Sequence, residues 1–247
     1  MKLTVYFTPL GVQANAIAGR PVLVVDVLRT TTTMVAALAN GAKAILPAAT
    51  AEEALRVAAN LERDAVLLAG ERGMYAIEGF ALGNSPGEMT EEVVGGKTVV
   101  MATTNGTGAV VAADPGRPVL IGAITNFSAA VEQAKEIYAD TEDFVILCSG
   151  RERAFALEDA YVAGRFAQAL IPGRQRRSAD LNDAALAALE LVRRYGDKWK
   201  TAVSASTAAK QLRANGFRSD VLAATEVDSH VVVPRFANRL VTLPDGA

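Results

Sequence analysis

Residues 21–33 read Pro21-Val22-Leu23-Val24-Val25-Asp26-Val27-Leu28-Arg29-Thr30-Thr31-Thr32-Thr33. The run Pro21–Val25 is apolar at successive positions, which marks a strand buried on both faces, as in a parallel sheet covered by helices. An acid, an arginine and four hydroxyls follow, and helical spacing begins over Thr31–Ala39. Strand, polar junction and helix in that order make the repeating unit of an α/β protein.

The same alternation recurs along the chain. Strand-like runs stand at Leu3–Phe7, Ala44–Pro47, Ala65–Ala69, Thr98–Met101, Val119–Ile121 and Phe144–Cys148. Helical spacing occupies Ala51–Leu61, Gly106–Ala113, Asn126–Tyr138 and Leu157–Leu170, with Thr50 and Glu53 in a capping-box pattern. The expected fold is therefore α/β: a mainly parallel β-sheet with flanking helices and an active-site cleft at the C-terminal strand ends. After Pro172 the chain turns helical over 178–226, with Ser178 and Ser206 as caps and Gly196 and Gly216 as stops. A final strand pair is expected at His230–Pro234 and Arg239–Leu243. No Gly-, Ser- or Pro-rich linker appears. Residues 1–247 thus read as one catalytic unit, with room for two α/β lobes.

Bulk properties narrow the function classes. Of 247 residues, 51% are hydrophobic and 21% charged, with 25 basic against 27 acidic. That excludes a disordered chain and gives no basic face for nucleic acid; the short run Arg174-Gln175-Arg176-Arg177 reads as a solvated loop. A single cysteine, Cys148, suits a reducing compartment. No window approaches the roughly 18–20 apolar residues of a membrane helix. MKLTVYFTP at the N-terminus reads as a strand and not as a secretory signal. A cytoplasmic protein without membrane contact is expected. The apolar composition permits a homodimer without requiring one.

Polar residues just after each strand are the informative ones, because ligands of parallel sheets bind there. Four junctions stand out. At the first, Asp26 is an acid at a buried strand end, which needs a partner or a metal. Arg29 offers a bidentate fork for oxyanions, and Thr30 and Thr31 open a helix whose free N–H groups suit phosphate. At the second, Gly70-Glu71-Arg72-Gly73 sits in a glycine-rich loop followed by Gly83-Asn84-Ser85-Pro86, with Ser85 as cap and Pro86 in the first turn. At the third, Thr103-Thr104-Asn105-Gly106-Thr107 makes a second anion cradle or a capped turn. At the fourth, Cys148-Ser149-Gly150-Arg151 precedes Glu158 and Asp159, a helix-start pair that also suits an oxygen-loving cation such as Mg2+.

Several mechanisms are disfavoured. His230 is the one histidine and reads as a strand-edge residue, which leaves no histidine-based zinc site and argues against a Ser–His–Asp triad. Neither the P-loop nor the dinucleotide fingerprint occurs. Cysteine phosphatases carry an arginine six positions after the cysteine, where this chain has Ala154. Haloacid-dehalogenase phosphatases usually carry a second aspartate two residues after the first, where this chain has Leu28.

The junctions together resemble the 2-phosphosulfolactate phosphatase family. The likeness rests on VVDVLRTTTT at 24–33, AGERG at 69–73, GFALGNSP at 79–86, TTNGT at 103–107, CSG at 148–150 and ED at 158–159. Departures fall at Ala81, where an acid is common, and near Met74, where a further glycine is common. The resemblance implies Mg2+-dependent hydrolysis of (R)-2-phospho-3-sulfolactate to sulfolactate and phosphate, a step of coenzyme M biosynthesis in methanogens. On that basis Asp26, Arg29, Glu71 and Asp159 are the expected catalytic residues. Mg2+ would be held by Asp26 with one or more of Glu71, Glu158 and Asp159. Thr30, Thr31, Asn84, Ser85 and the turn Thr104, Asn105, Gly106 and Thr107 would bind substrate, with Arg72 or Arg151 on its carboxylate or sulfonate. Asp26 either attacks phosphorus or only holds the metal. Two other classes remain open: a phosphate-ester lyase or isomerase, and a non-catalytic binder of a small phosphorylated metabolite.

Overall fold

The computed structural model describes residues 1–171, 173 and 178–244. The basic run at 174–177 lies outside the described residues. Among those described there are eleven strands: β1 (Lys2–Tyr6), β2 (Val22–Val25), β3 (Ala44–Ala48), β4 (Val66–Arg72), β5 (Tyr75–Ala76), β6 (Thr98–Ala102), β7 (Val119–Gly122), β8 (Asp143–Cys148), β9 (Asp180–Leu181), β10 (Arg235–Ala237) and β11 (Leu240–Thr242). Helices α1 (Ala14–Ile17), α2 (Thr30–Ala39), α3 (Ala51–Ala58), α4 (Glu91–Val94), α5 (Gly106–Ala112), α6 (Phe127–Thr141) and α7 (Leu157–Leu170) alternate with the strands. The helical C-terminal part is α8 (Asp183–Tyr195), α9 (Trp199–Ala205), α10 (Thr207–Ala214) and α11 (Arg218–Ala223). None of the described helices is long and apolar enough to cross a membrane.

The α/β reading holds. The strands form one sheet in the order β5-β4-β6-β3-β11-β10-β7-β2-β8-β1-β9. Two parallel blocks, β4-β6-β3 and β7-β2-β8-β1-β9, are joined by the antiparallel hairpin β10–β11. β10 pairs with β7, and β11 meets β3 at Val241 and Ile45.

The run that decided the fold shows why it is apolar throughout. In β2, Leu23 and Val25 enter one core with Phe144, Tyr161 and Phe166, while Val22 and Val24 enter a second core with Met34 and Val35 of α2. Alternate side chains point to opposite faces, and both faces are covered. On the first face α7 packs closely on α8. A Cβ at Gly164 would lie 2.2 Å from the Ala188 carbonyl oxygen, so only glycine lets the two backbones approach.

Local expectations met several corrections. Helices α3, α5 and α6 shift by one to three residues at their ends, while α7 runs over the expected Leu157–Leu170. Thr50 caps α3 by accepting the Glu53 N–H at 3.1 Å, and Ser206 caps α10 through the Ala209 N–H at 3.1 Å. Ser178 does not cap α8; that task falls to Asn182, whose side chain accepts the Ala185 N–H at 3.1 Å. Gly196 does follow α8, whereas α10 ends at Ala214 with Asn215 as its cap and Gly216 one place beyond. His230–Pro234 is not a strand. The hairpin begins at Arg235, because Pro234 has no N–H to give a ladder, although its carbonyl accepts the Ile121 N–H at 2.9 Å.

Candidate active site

Four strand ends, those of β2, β4, β6 and β8, open into one cavity, which α10 roofs. The junction after β2 carries the densest network. The chain passes a cis Leu28–Arg29 peptide and then enters α2. The threonine tract is poorly suited to a helix interior unless its hydroxyls find partners. Here each does. Thr31 Oγ1 donates to the Asp26 carbonyl at 2.8 Å and accepts the Asp26 N–H at 3.0 Å, which clamps the loop on itself. Thr32 donates to the Val27 carbonyl at 2.8 Å, and Thr33 to the Asn84 carbonyl at 2.9 Å. Only Thr30 of the tract borders the cavity. Thr31, expected on the substrate, is fully buried and holds the Asp26 loop instead.

Asp26 is 4% exposed and receives the Thr30 N–H at 3.3 Å. Burial raises its carboxyl to about 6; the Glu71 charge adds to this, and hydrogen bonds from Thr30 and Ser149 oppose it. Burial likewise pushes Asp159 well above the usual carboxylate range, with Asp26 and Glu158 reinforcing the effect. Glu158 is raised by burial and by Asp26, against a hydrogen bond from Ser206. Three carboxyl groups that repel one another in a buried place titrate as a group, not singly.

Asp159 and Glu71 serve as organisers. Asp159 Oδ1 accepts the Val27 N–H at 2.9 Å, and its Oδ2 accepts the Ser149 hydroxyl and the Gly150 N–H, both at 3.2 Å, so it ties the β2 and β8 junctions together. Glu71 accepts the Thr104 N–H at 2.7 Å, the Thr104 hydroxyl at 3.0 Å and the Met74 N–H at 3.0 Å. That joins the β4–β5 hairpin to the TTNGT turn. Arg72, next along β4, is exposed and donates to the Glu71 carbonyl, because successive strand residues face opposite sides; it does not line the cavity.

The TTNGT turn divides its labour. Thr104 and Asn105 line the cavity, and Asn105 Oδ1 accepts the Glu152 N–H at 3.0 Å. Thr107 is fully buried and locked to Thr103 by reciprocal contacts of 3.0 and 3.1 Å. Gly106 does not line the cavity but leaves space: a Cβ there would lie 2.1 Å from Asp26 Oδ2 and 2.2 Å from Thr30 Oγ1. Gly106→Ala is therefore expected to displace the Asp26 carboxylate. Overpacking of this kind costs about 1–3 kcal/mol, and misplacement of a reacting group lowers kcat/KM on the order of 100-fold. Wild-type activity in a folded Gly106→Ala protein would contradict this placement.

Asn84 is buried beside Thr30; its Nδ2 lies 3.5 Å from Thr30 Oγ1 and its Oδ1 has no partner. Ser85 lies outside the cavity lining: it stands at the N-cap of the turn Pro86–Glu88 as expected, its N–H donating to the Glu88 carboxylate at 3.3 Å, and its hydroxyl donates to Asp220 at 2.7 Å. Arg151 is partly exposed at the rim and donates to Gln211 of α10 and to Glu152. Cys148 is fully buried and does not line the cavity, and burial together with Asp159 and Glu158 pushes its thiol well above the ordinary range.

Ten of the expected residues thus meet in one cavity: Asp26, Arg29, Thr30, Glu71, Asn84, Thr104, Asn105, Arg151, Glu158 and Asp159. The family model of 2-phosphosulpholactate phosphatase matches residues 6–239. The chain belongs to that family. A protein of Caldanaerobacter subterraneus subsp. tengcongensis named "Probable 2-phosphosulfolactate phosphatase" is 34% identical over 98% of this chain and 98% of its own length. Proteins of Thermotoga petrophila and Thermotoga maritima with the same name are 36% and 35% identical, each over 92% of this chain and 93% of their own length.

The 2-phosphosulfolactate phosphatase motifs converge here, but they omit part of the wall. Leu28, Met74, and Ala208, Gln211 and Leu212 of α10 also line the cavity. The last three have i, i+3, i+4 spacing, which puts them on one face of α10. Asp220, paired with Arg29 at 2.6 Å, was signalled by nothing in its own segment.

Proposed function

We propose that this chain hydrolyses 2-phosphosulfolactate, or a closely related phosphate monoester of a 2-hydroxy acid, with Mg2+. The observation that supports it most is the group of buried carboxyls, Asp26, Glu158 and Asp159, facing the start of α2 and two arginines across one cavity. Membership of the 2-phosphosulfolactate phosphatase family points the same way.

The donor set fits a hard cation. Three like charges are buried together, and Asn84 Oδ1 is an oxygen acceptor without a donor in the same cavity. Among the described residues, no group of three His, Cys, Asp or Glu side chains is placed to hold a metal ion by itself. Mg2+ tolerates this, since it commonly takes one or two carboxylates and fills its other positions with water and phosphate oxygens. Asp26 and Glu158 are the better holders, because both oxygens of Asp159 and of Glu71 already accept backbone and hydroxyl donors. When bound, the ion supplies Lewis-acid polarisation of the phosphoryl oxygens.

The chain's own groups do the remaining work. Asn105 offers its side-chain amide to the phosphoryl oxygens, Thr30 borders the same space, and Arg29 adds positive charge, while Thr104 is held on Glu71. Arg151, at the rim, takes the carboxylate or the sulfonate. Attack on phosphorus by water, directly or after transfer to Asp26, forms one phosphorus–oxygen bond as the bond to the C2 oxygen breaks, and that oxygen leaves with a proton that water supplies. α10 and Leu28 exclude bulk water from that exchange.

The test is release of inorganic phosphate from synthetic 2-phosphosulfolactate, with and without EDTA. Release that EDTA stops is the expected result. Conversion without phosphate release moves the chain to a lyase or isomerase, and tight binding without turnover makes it a binder.

A further inference from the structure

We infer that Asp220 of α11 is a positioning residue for Arg29, fixing the guanidinium at the cavity and tying the C-terminal helices to the proposed phosphate site. The inference rests on the phosphatase reading for its kinetic consequence but not for its geometry.

The geometry is specific. Arg29 Nη1 donates to Asp220 Oδ2 at 2.6 Å, with side-chain exposures of 3% and 5%. The same Asp220 oxygen accepts the Ser85 hydroxyl at 2.7 Å, and Ser85 Oγ lies 3.4 Å from Arg29 Nη1. Arg29 Nη2 donates to the Met74 carbonyl at 2.6 Å, and the Phe217 ring lies 4.6 Å from the guanidinium carbon. One arginine is thus gripped by the β4–β5 hairpin, the loop at 85 and the turn leading into α11. It still borders the cavity that holds Asp26.

A guanidinium is a planar fork, and its use on an oxyanion depends on orientation. Asp220 sets that orientation through one edge while Met74 takes another. Without the carboxylate, the buried cation is free to turn toward Glu71 or Asp26, where it would neutralise the site instead of serving it. Arg29 touches the phosphate in the ground state as well as in the transition state. Loosening it therefore weakens binding more than it slows the chemical step.

The test compares Asp220→Asn, Asp220→Glu, Arg29→Met and the double variant Arg29→Met/Asp220→Met with the wild-type protein. Removing both charges together spares the fold the uncompensated arginine that Asp220→Asn leaves buried. Inorganic phosphate binding by calorimetry is read beside steady-state kinetics. Asp220→Asn is expected to raise KM and the phosphate Kd about tenfold, with kcat changed about threefold or less. Asp220→Glu, which keeps the pair, should recover most of the loss. In the Arg29→Met background, Asp220→Met should change neither constant further, since the residue acts only through Arg29. An Asp220→Asn protein with lowered Tm and active fraction but wild-type KM and phosphate Kd would overturn the inference and leave Asp220 a merely structural partner. Failure of the wild-type protein to release phosphate from any monoester would sink the phosphatase reading alone. The phosphate Kd comparison would still decide the role of Asp220.

Discussion

Asp26→Asn is expected to abolish turnover while making the metal-free chain more stable at neutral pH. The two effects share one cause. Asp26 is a buried carboxylate whose pKa is raised from 3.8 to about 6, chiefly by burial and further by Glu71. A group whose folded-state pKa lies above its unfolded value binds its proton more tightly when folded. Its ionised form is thus a destabilising presence above pH 6, relieved as pH falls from about 6 to about 4. Asparagine has nearly the same shape and can still accept the Thr30 N–H, but it carries no charge. Removing the charge takes away both the metal holder and the strain of the empty site, a familiar opposition between stability and activity. Thermal unfolding in EDTA at pH 7, beside phosphate release, measures both. A folded mutant with normal turnover, or one melting well below wild type, would falsify the assignment of Asp26. The same linkage predicts that metal-free wild-type protein gains stability from Asp26 as pH is lowered from 6 toward 4, a gain missing from Asp26→Asn. With a chirally labelled phosphate, inversion at phosphorus marks direct attack by water, and retention marks attack by Asp26.

Chelation of divalent ions is expected to be equally severe. EDTA should lower phosphate release on the order of 1000-fold or more, and Mg2+ should restore it, because Lewis-acid stabilisation of this kind is worth several kcal/mol. Binding has its own readout. An ion that binds only the folded state stabilises it by about 2.7 kcal/mol at a hundred times Kd, so Mg2+ should raise the Tm of the wild-type chain. It should do little for Asp26→Asn and have a reduced effect on Glu158→Gln. Equal Mg2+ shifts in all three proteins would remove Asp26 and Glu158 as its holders.

The fold was legible where one local signal decided it. Runs such as Pro21–Val25 and Phe144–Cys148 are apolar at every position because β2 and β8 feed cores on both faces, and that needs no long-range information. Of the final hairpin, the second strand lies within the expected Arg239–Leu243, but the first was misplaced by several residues. His230–Pro234 has the β-branched composition of a strand, but its neighbours in the sheet begin only at Arg235. The site was legible as a set of polar strand ends, and most of them converge. What the sequence could not separate was lining from scaffolding. Thr31 and Thr107 look like Thr30 and Thr104, yet they are fully buried and hold the loops that present their neighbours. Arg72 and Glu71 are adjacent and charged, and strand alternation sends only Glu71 to the site. Asp220 was invisible because its partner lies 191 residues away, and nothing in α11 marks an acid that will be buried.

The β10–β11 hairpin makes assembly of this molecule a late event. It sits between two blocks that share no strand pairing except through it, and its residues are made after every other strand. A nascent chain can build β3–β4–β6 and then β7–β2–β8–β1, but the sheet that spans them waits for residues 235–242. Non-local pairing of this sort slows folding and leaves edges exposed meanwhile. β2 and β8 lie in one block and β4 and β6 in the other, so before the hairpin forms the two are held together only by helix and loop contacts, such as Thr33 on the Asn84 carbonyl. A continuous sheet would then arrive only with its closing stitch.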